Sequence, residues 1–89
     1  MKTIRLTVKG KVQGVYFRAN AKNKASELGI TGWVKKLPDD TVEIKATATD
    51  DLLQQFINWC REGPSRAIVN DLIIEELPYE PFIDFRILK

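Results

Sequence analysis

Apolar and polar residues alternate from the start of the chain: Ile4, Leu6 and Val8 are separated by Arg5, Thr7 and Lys9, the period-two pattern of a strand with one buried face. After a loop that contains Gly10 and Gly14 the period changes. Phe17, Ala21, Ala25 and Leu28 recur at helical spacing, and Gly29 can close the segment in the left-handed conformation, which predicts a helix from about Phe17 to Leu28. Ile30 to Lys36 reads as a second strand, with Trp33 and Val34 supplying bulk and Gly32 allowing a bend or a close backbone approach. Pro38, Asp39 and Asp40 mark a turn over Leu37 to Asp40. Val42, Ile44, Ala46 and Ala48 then alternate with polar residues, so a third strand forms a hairpin with the second.

Thr49 or Asp50 can cap a second helix, whose residues Leu52, Leu53, Phe56, Ile57, Trp59 and Cys60 make a broad apolar stripe before Gly63 and Pro64 stop it. Ile68 to Leu77 is rich in β-branched residues but loses alternation at Asn70 and Asp71, which predicts a fourth strand with a bulge. Pro78 and Pro81 bracket a turn, and Ile83, Phe85 and Ile87 predict a short last strand that adds at a sheet edge. Trp33 and Trp59 both fall in periodic apolar sets and read as packing residues. The element order, strand, helix, strand, strand, helix, strand and one extra strand, suits an α+β sandwich with both helices on one face of the sheet.

With 89 residues the chain is expected to form one domain, residues 1–89, whose site is a shallow surface feature built from loops. Fourteen basic and twelve acidic residues give a net charge of +2, dispersed along the chain, which argues against a dedicated nucleic-acid binder. There is no histidine and a single cysteine, Cys60, so a histidine base, an internal disulfide and the usual zinc, copper or iron ligand sets are all excluded. No metal site and no cofactor are expected. Cys60 reads as a packing residue and fits a reducing compartment. No signal-peptide pattern or long apolar run is present, so the expectation is a cytoplasmic chain without membrane association.

The candidate chemistry lies at Lys9 to Arg18, KGKVQGVYFR, where a strand ends, a glycine-bearing loop follows and a helix begins. Such a loop can turn successive backbone N–H groups toward an anion, the helix adds its unpaired amino-terminal N–H groups and dipole, and Arg18 adds a planar fork of donors. Glu75, Glu76 and Glu80 read as a solvated edge with no catalytic role.

The string GKVQGVYFR, through Gly10, Val12, Gln13, Gly14, Val15, Phe17 and Arg18, resembles the signature loop of the acylphosphatase family, small enzymes that hydrolyse the carboxyl-phosphate bond. Two further segments match the family pattern, LGITGWVKKLPDDTVEI from Leu28 to Ile44 and GPSRAIV from Gly63 to Val69. The resemblance implies a ferredoxin-like two-layer sandwich, an antiparallel βαββαβ sheet with two helices on one face and a short extra strand. It also implies metal-free hydrolysis of an acyl phosphate to a carboxylate and inorganic phosphate, with water as nucleophile and Arg18 gripping the phosphate. Backbone N–H groups of Lys11, Val12, Gln13, Gly14, Val15, Tyr16 and Phe17 are its expected companions.

One position departs from the pattern. An asparagine that orients the attacking water normally follows the Gly-Trp-Val-basic string, and here Lys36 stands in that place after Lys35. A lysine ammonium has three donors and no acceptor, so it can attract phosphate but cannot take a hydrogen bond from water. Reduced turnover is therefore expected, unless an amide of Asn20 or Asn23 substitutes or Lys36 is neutral beside Arg18. The alternative from another class is a noncatalytic module that binds phosphate or another anion on the same loop. RNA recognition uses a similar strand and helix order, but Thr41, Glu43, Lys45 and Thr47 on the third strand supply no aromatic platform. The expected partners are thus an acyl phosphate or inorganic phosphate, with the chain as a monomer.

Overall fold

The computed structural model describes residues 1–89. Seven elements follow in chain order: β1 (Lys2–Lys11), α1 (Phe17–Leu28), β2 (Thr31–Lys36), β3 (Val42–Ala48), α2 (Asp50–Glu62), β4 (Ile68–Leu77) and β5 (Phe85–Ile87). They form a single sheet in the order β4-β1-β3-β2-β5. The first four strands pair antiparallel, and the added strand β5 runs parallel to β2, which makes the sheet mixed. The two helices cover one face, as in the ferredoxin-like plan.

Register explains which side chains meet the helices. Leu6 stands opposite Ile44, Val8 opposite Val42 and Val34 opposite Ile44, so these alternating positions share one face. They join Ala21 and Ala25 of α1 and Leu53, Phe56, Ile57 and Cys60 of α2 in one buried cluster. The alanines let α1 lie close to the sheet, whereas the wide stripe of α2 brings in the aromatic group. Phe17 packs on Trp59 with ring centroids 5.5 Å apart, and Phe56 meets Phe85 edge to face at 6.0 Å. Phe17 therefore anchors the first turn of α1 and fixes where Arg18 emerges. Burial drives the Cys60 thiol pKa strongly upward, which keeps it protonated and inert within this core.

Thr49 caps α2 by accepting from the Leu52 N–H at 3.5 Å, and Gly29 closes α1 at φ 75° with its N–H directed to the carbonyls of Ala25 and Ser26. The bulge in β4 falls at Asn70: Lys9 pairs with Asp71 and Gly10 with Val69, leaving Asn70 unopposed. Gly10 sits inside β1, paired with Val69, and not in the loop, and it must be glycine because a Cβ there, at φ 136°, would stand 2.1 Å from the Ile68 carbonyl oxygen. Its role is close strand approach. Gly32 is under the same constraint, with a Cβ placed 1.8 Å from the Lys45 oxygen at φ 142°. Gly32→Ala is expected to destabilise the fold by at least about 2 kcal/mol, lowering the thermal midpoint by about 10 °C, since either the β2–β3 pairing or the backbone angle must give. An unchanged midpoint in a thermal melt would contradict this close approach.

Two residues lie elsewhere than the sequence pattern predicts. Trp33 is not in the core cluster; it lies on the open face opposite Lys45, with the Lys35 ammonium 5.1 Å from its ring centroid. The cause is strand geometry, since adjacent Trp33 and Val34 must point to opposite faces and Val34 takes the inner one. Ile83 is 94% exposed and precedes the last strand, because pairing begins only where the Gly32 N–H donates to the Asp84 carbonyl at 2.8 Å.

Between β4 and β5 the chain crosses the open face as a strap. A ring of hydrogen bonds pins it: the Glu80 N–H donates to Thr3 Oγ1 at 2.8 Å, Thr3 and Thr47 hydroxyls meet at 2.7 Å, and Thr47 Oγ1 donates to the Glu80 carbonyl at 2.7 Å. Beside it, opposite charges alternate across the strands. Arg5 on β1 lies between Glu75 on β4 and Glu43 on β3, and Glu43 also meets Lys35 on β2 at 3.5 Å. No helix is long and apolar enough to cross a membrane.

Candidate active site

The β1–α1 loop is fastened from below by two valines. Val12 and Val15 are buried in the core, which leaves the intervening backbone at the surface. Gly14 turns through φ 69° with open space where a Cβ would be. Tyr16 then adopts the same left-handed region at φ 60° and ψ 28°, a conformation that costs a residue with a Cβ about 1–2 kcal/mol. Asn20 holds it there, because its backbone N–H and its Nδ2 both donate to the Tyr16 carbonyl, at 3.0 and 2.8 Å. The Asn20 amide is thus engaged in loop geometry. Asn23 is exposed one turn further along α1 and makes no hydrogen bond through its side chain.

The consequence for the backbone is a run of free donors. Val12 N–H already donates to the Gly10 carbonyl at 3.1 Å, but none of the N–H groups from Gln13 to Ala19 has an acceptor in the chain until Asn20 starts the helical ladder. The last three are the ordinary orphans of a helix amino terminus; the four before them come from the loop. Such a row of amides with the helix dipole behind it favours an anion.

Gln13 ties this loop to the neighbouring β2–β3 turn, its Nε2 donating to the Asp40 carbonyl at 3.1 Å. That turn is itself well held. Asp40 takes φ 67°, and Asp39 Oδ1 accepts from Thr41 Oγ1 at 2.6 Å and from the Thr41 N–H at 3.2 Å. Those hydrogen bonds hold the Asp39 carboxyl below its ordinary pKa. The stabilisation is present above the ordinary carboxylate pKa and is lost as pH falls through the lowered value.

Residues 12–14 and 16–19 with Ile87 line an open depression of about 390 Å³. Of the residues singled out in the sequence, Val12, Gln13, Gly14, Tyr16, Phe17 and Arg18 therefore come together, while Lys11 ends β1 and Val15 faces the core. Arg18 is half-buried and takes part in none of the chain's ion pairs, so its fork of donors is uncommitted.

Lys36 does not line the depression, but register places it beside the rim. Val34 pairs with Ile87, and Lys36 lies on the same face of β2 two residues further on, about 7 Å along the strand. It is exposed and likewise free of ion pairs. Ile87 itself was legible in the sequence only as an apolar strand residue, since its place at the site depends on the parallel pairing of β5 with β2. No group of three His, Cys, Asp or Glu side chains is placed to share a metal ion.

Comparison with known proteins agrees with this architecture. The acylphosphatase family model matches residues 4–87. An acylphosphatase of Marinobacter nauticus is 52% identical over 91% of this chain and 89% of its own length, and one of Methylococcus capsulatus is 43% identical over 100% and 98%. The crystal structure of acylphosphatase from Bacillus subtilis superposes with a TM-score of 0.96 at 33% identity, covering both chains completely. A family model spanning nearly every element, with relatives and a solved structure matched end to end, makes the chain a member of the acylphosphatase family of hydrolases.

Proposed function

We propose that the 89 residues act as one acylphosphatase domain in which the Gln13 to Ala19 amides and the Arg18 guanidinium hold the phosphate of an acyl phosphate. The observation that carries this reading is the unbroken row of amides without an intrachain acceptor, next to an arginine without a carboxylate partner. In hydrolysis a water oxygen bonds to phosphorus as the bond from phosphorus to the acyl oxygen breaks, and the water proton leaves to solvent. A carboxylate departs readily without protonation, because its conjugate acid has a pKa of about 4. No general acid is required, which suits a chain without histidine. What remains is charge on the phosphoryl oxygens, and that is what fixed amides and a guanidinium stabilise.

Lys36 in this reading draws the anion toward the rim but leaves the attacking water without the acceptor an asparagine would offer. The Asn20 amide is occupied at Tyr16 and supplies no replacement. Slow turnover on an intact phosphate site follows. Membership of a hydrolase family weighs against the purely noncatalytic reading. We place the reaction in the cytoplasm with the chain as a monomer, and the pairing of Arg5 and Lys35 with carboxylates on the open face weighs against nucleic acid as a partner.

The test is phosphate release from acetyl phosphate by the wild-type chain with a chelator present, together with an NMR titration by inorganic phosphate. Turnover above the uncatalysed rate and amide shifts concentrated at residues 13–19 are expected. Absence of both would refute the proposal.

A further inference from the structure

We infer that Lys36 is a site of self-acylation, at which an acyl phosphate held by the loop transfers its acyl group to the lysine amine. The inference rests on the phosphate-loop reading and concerns the carbonyl carbon, which the loop amides do not hold.

Placement is the first argument. Lys36 ends β2, and that strand end is tied to the rim of the depression from two sides. On one side, the parallel pairing of Val34 with Ile87 sets Lys36 on the face of β2 that continues past the Ile87 wall. On the other, the Leu37 N–H donates to the Thr41 carbonyl at 2.9 Å to close the β2–β3 turn, and Gln13 fastens that turn to the loop at Asp40. The backbone of Lys36 is therefore held beside the site, while its four-carbon stem leaves the amine free to move. No carboxylate claims it. Lys2, Lys24, Lys35 and Lys45 each meet one, with Glu43 turned to Lys35, whereas Lys36 is exposed and unpaired.

The second argument is chemical. An acyl phosphate is electrophilic at carbon as well as at phosphorus, and donors that stabilise charge on the phosphate make it a better leaving group. The neutral amine bonds to the carbonyl carbon, the bond from that carbon to the bridging oxygen breaks, and the amine proton leaves with the phosphate. The products are an N-acyl lysine and inorganic phosphate. Lysine amines in water are neutral in only about one molecule in 10³ near pH 7.4. Proximity offsets this, because well-oriented pairs reach effective molarities of about 10⁵–10⁸ M, and a mobile stem needs only a small part of that to outpace lysines that meet the compound in solution. Hydrolysis, the competing fate, is slowed by the same residue, since its ammonium offers the attacking water no acceptor. The amine thus meets a weakened rival.

The experiment incubates the wild-type chain with acetyl phosphate and reads initial rates of acetylation lysine by lysine by mass spectrometry. Lys9 is the internal reference, since it is likewise exposed and free of ion pairs but follows buried Val8 on the open face of β1. Lys36 is expected to react at least about tenfold faster than Lys9 and to saturate with acetyl phosphate. Excess inorganic phosphate and, separately, Arg18→Ala should bring Lys36 down to the Lys9 rate while leaving Lys9 unchanged. Phosphate release and the amide shifts of residues 13–19 on adding inorganic phosphate are followed alongside. A Lys36 no faster than Lys9, in a chain whose loop binds phosphate, overturns the acylation and leaves the loop standing. A fast Lys36 that ignores both inorganic phosphate and Arg18→Ala overturns it equally, since the reactivity then belongs to the residue and not to the bound substrate. Absence of both amide shifts and turnover removes the loop reading and the acylation together.

Discussion

Arg18→Ala is expected to lower kcat/KM for acyl phosphate hydrolysis by about 10³-fold, about 4 kcal/mol of transition-state stabilisation, while the thermal midpoint stays close to that of the wild type. The reason is that Arg18 makes no ion pair or hydrogen bond within the fold, so its removal orphans no buried partner. Its helix turn is held by Phe17 against Trp59, an anchor the substitution leaves alone. Arg18→Lys should recover only part of the loss, because an ammonium restores the charge but not the two parallel donors that match phosphate oxygens. The decisive readout is kcat/KM beside a melting curve. A variant that melts normally and hydrolyses acetyl phosphate within threefold of the wild type would rule Arg18 out as the phosphate anchor.

Lys36→Asn is expected to act in the other direction, raising kcat by about 10²–10³-fold, the usual worth of one preorganised catalytic contact. The position is favourable for such a gain. Lys36 is exposed, lies beside the rim of the depression and makes no ion pair, so the shorter amide costs the fold little. An amide there adds an acceptor for the attacking water and removes a cation near the bound phosphate. Phosphate affinity should therefore weaken a few-fold as kcat rises, a split that distinguishes better catalysis from better binding. Equal or lower kcat in Lys36→Asn would show that water is positioned by another group.

Much of this arrangement can be read from the chain itself, because alternation at Ile4, Leu6 and Val8, the helical spacing after Phe17, and the loss of alternation at Asn70 each report a local geometry. The loop is legible for the same reason, since its amides and arginine are neighbours in sequence. What escapes is set by contacts between distant segments. Gly10 looks like part of the loop until β4 is laid against it, and Trp33 looks like core until Val34 is seen to take the inner face. The role of Asn20 depends on a left-handed tyrosine that no propensity predicts. Ile87 reaches the site only through a parallel pairing at the far edge of the sheet, which alternation within β5 cannot reveal.

The sheet order also sets the schedule on which the molecule can be made. β1 precedes both of its neighbours, β3 and β4, in the chain, and Thr3 finds its partner on one side only at Leu77. At roughly 5–20 residues per second, a ribosome takes several seconds to supply that partner. Throughout that interval the strand leading into the phosphate loop carries an open edge, and pairings this distant along the chain close slowly even once all residues are present. The strand leading into the candidate loop is thus completed on its second side only when β4, distant in the chain, is laid against it.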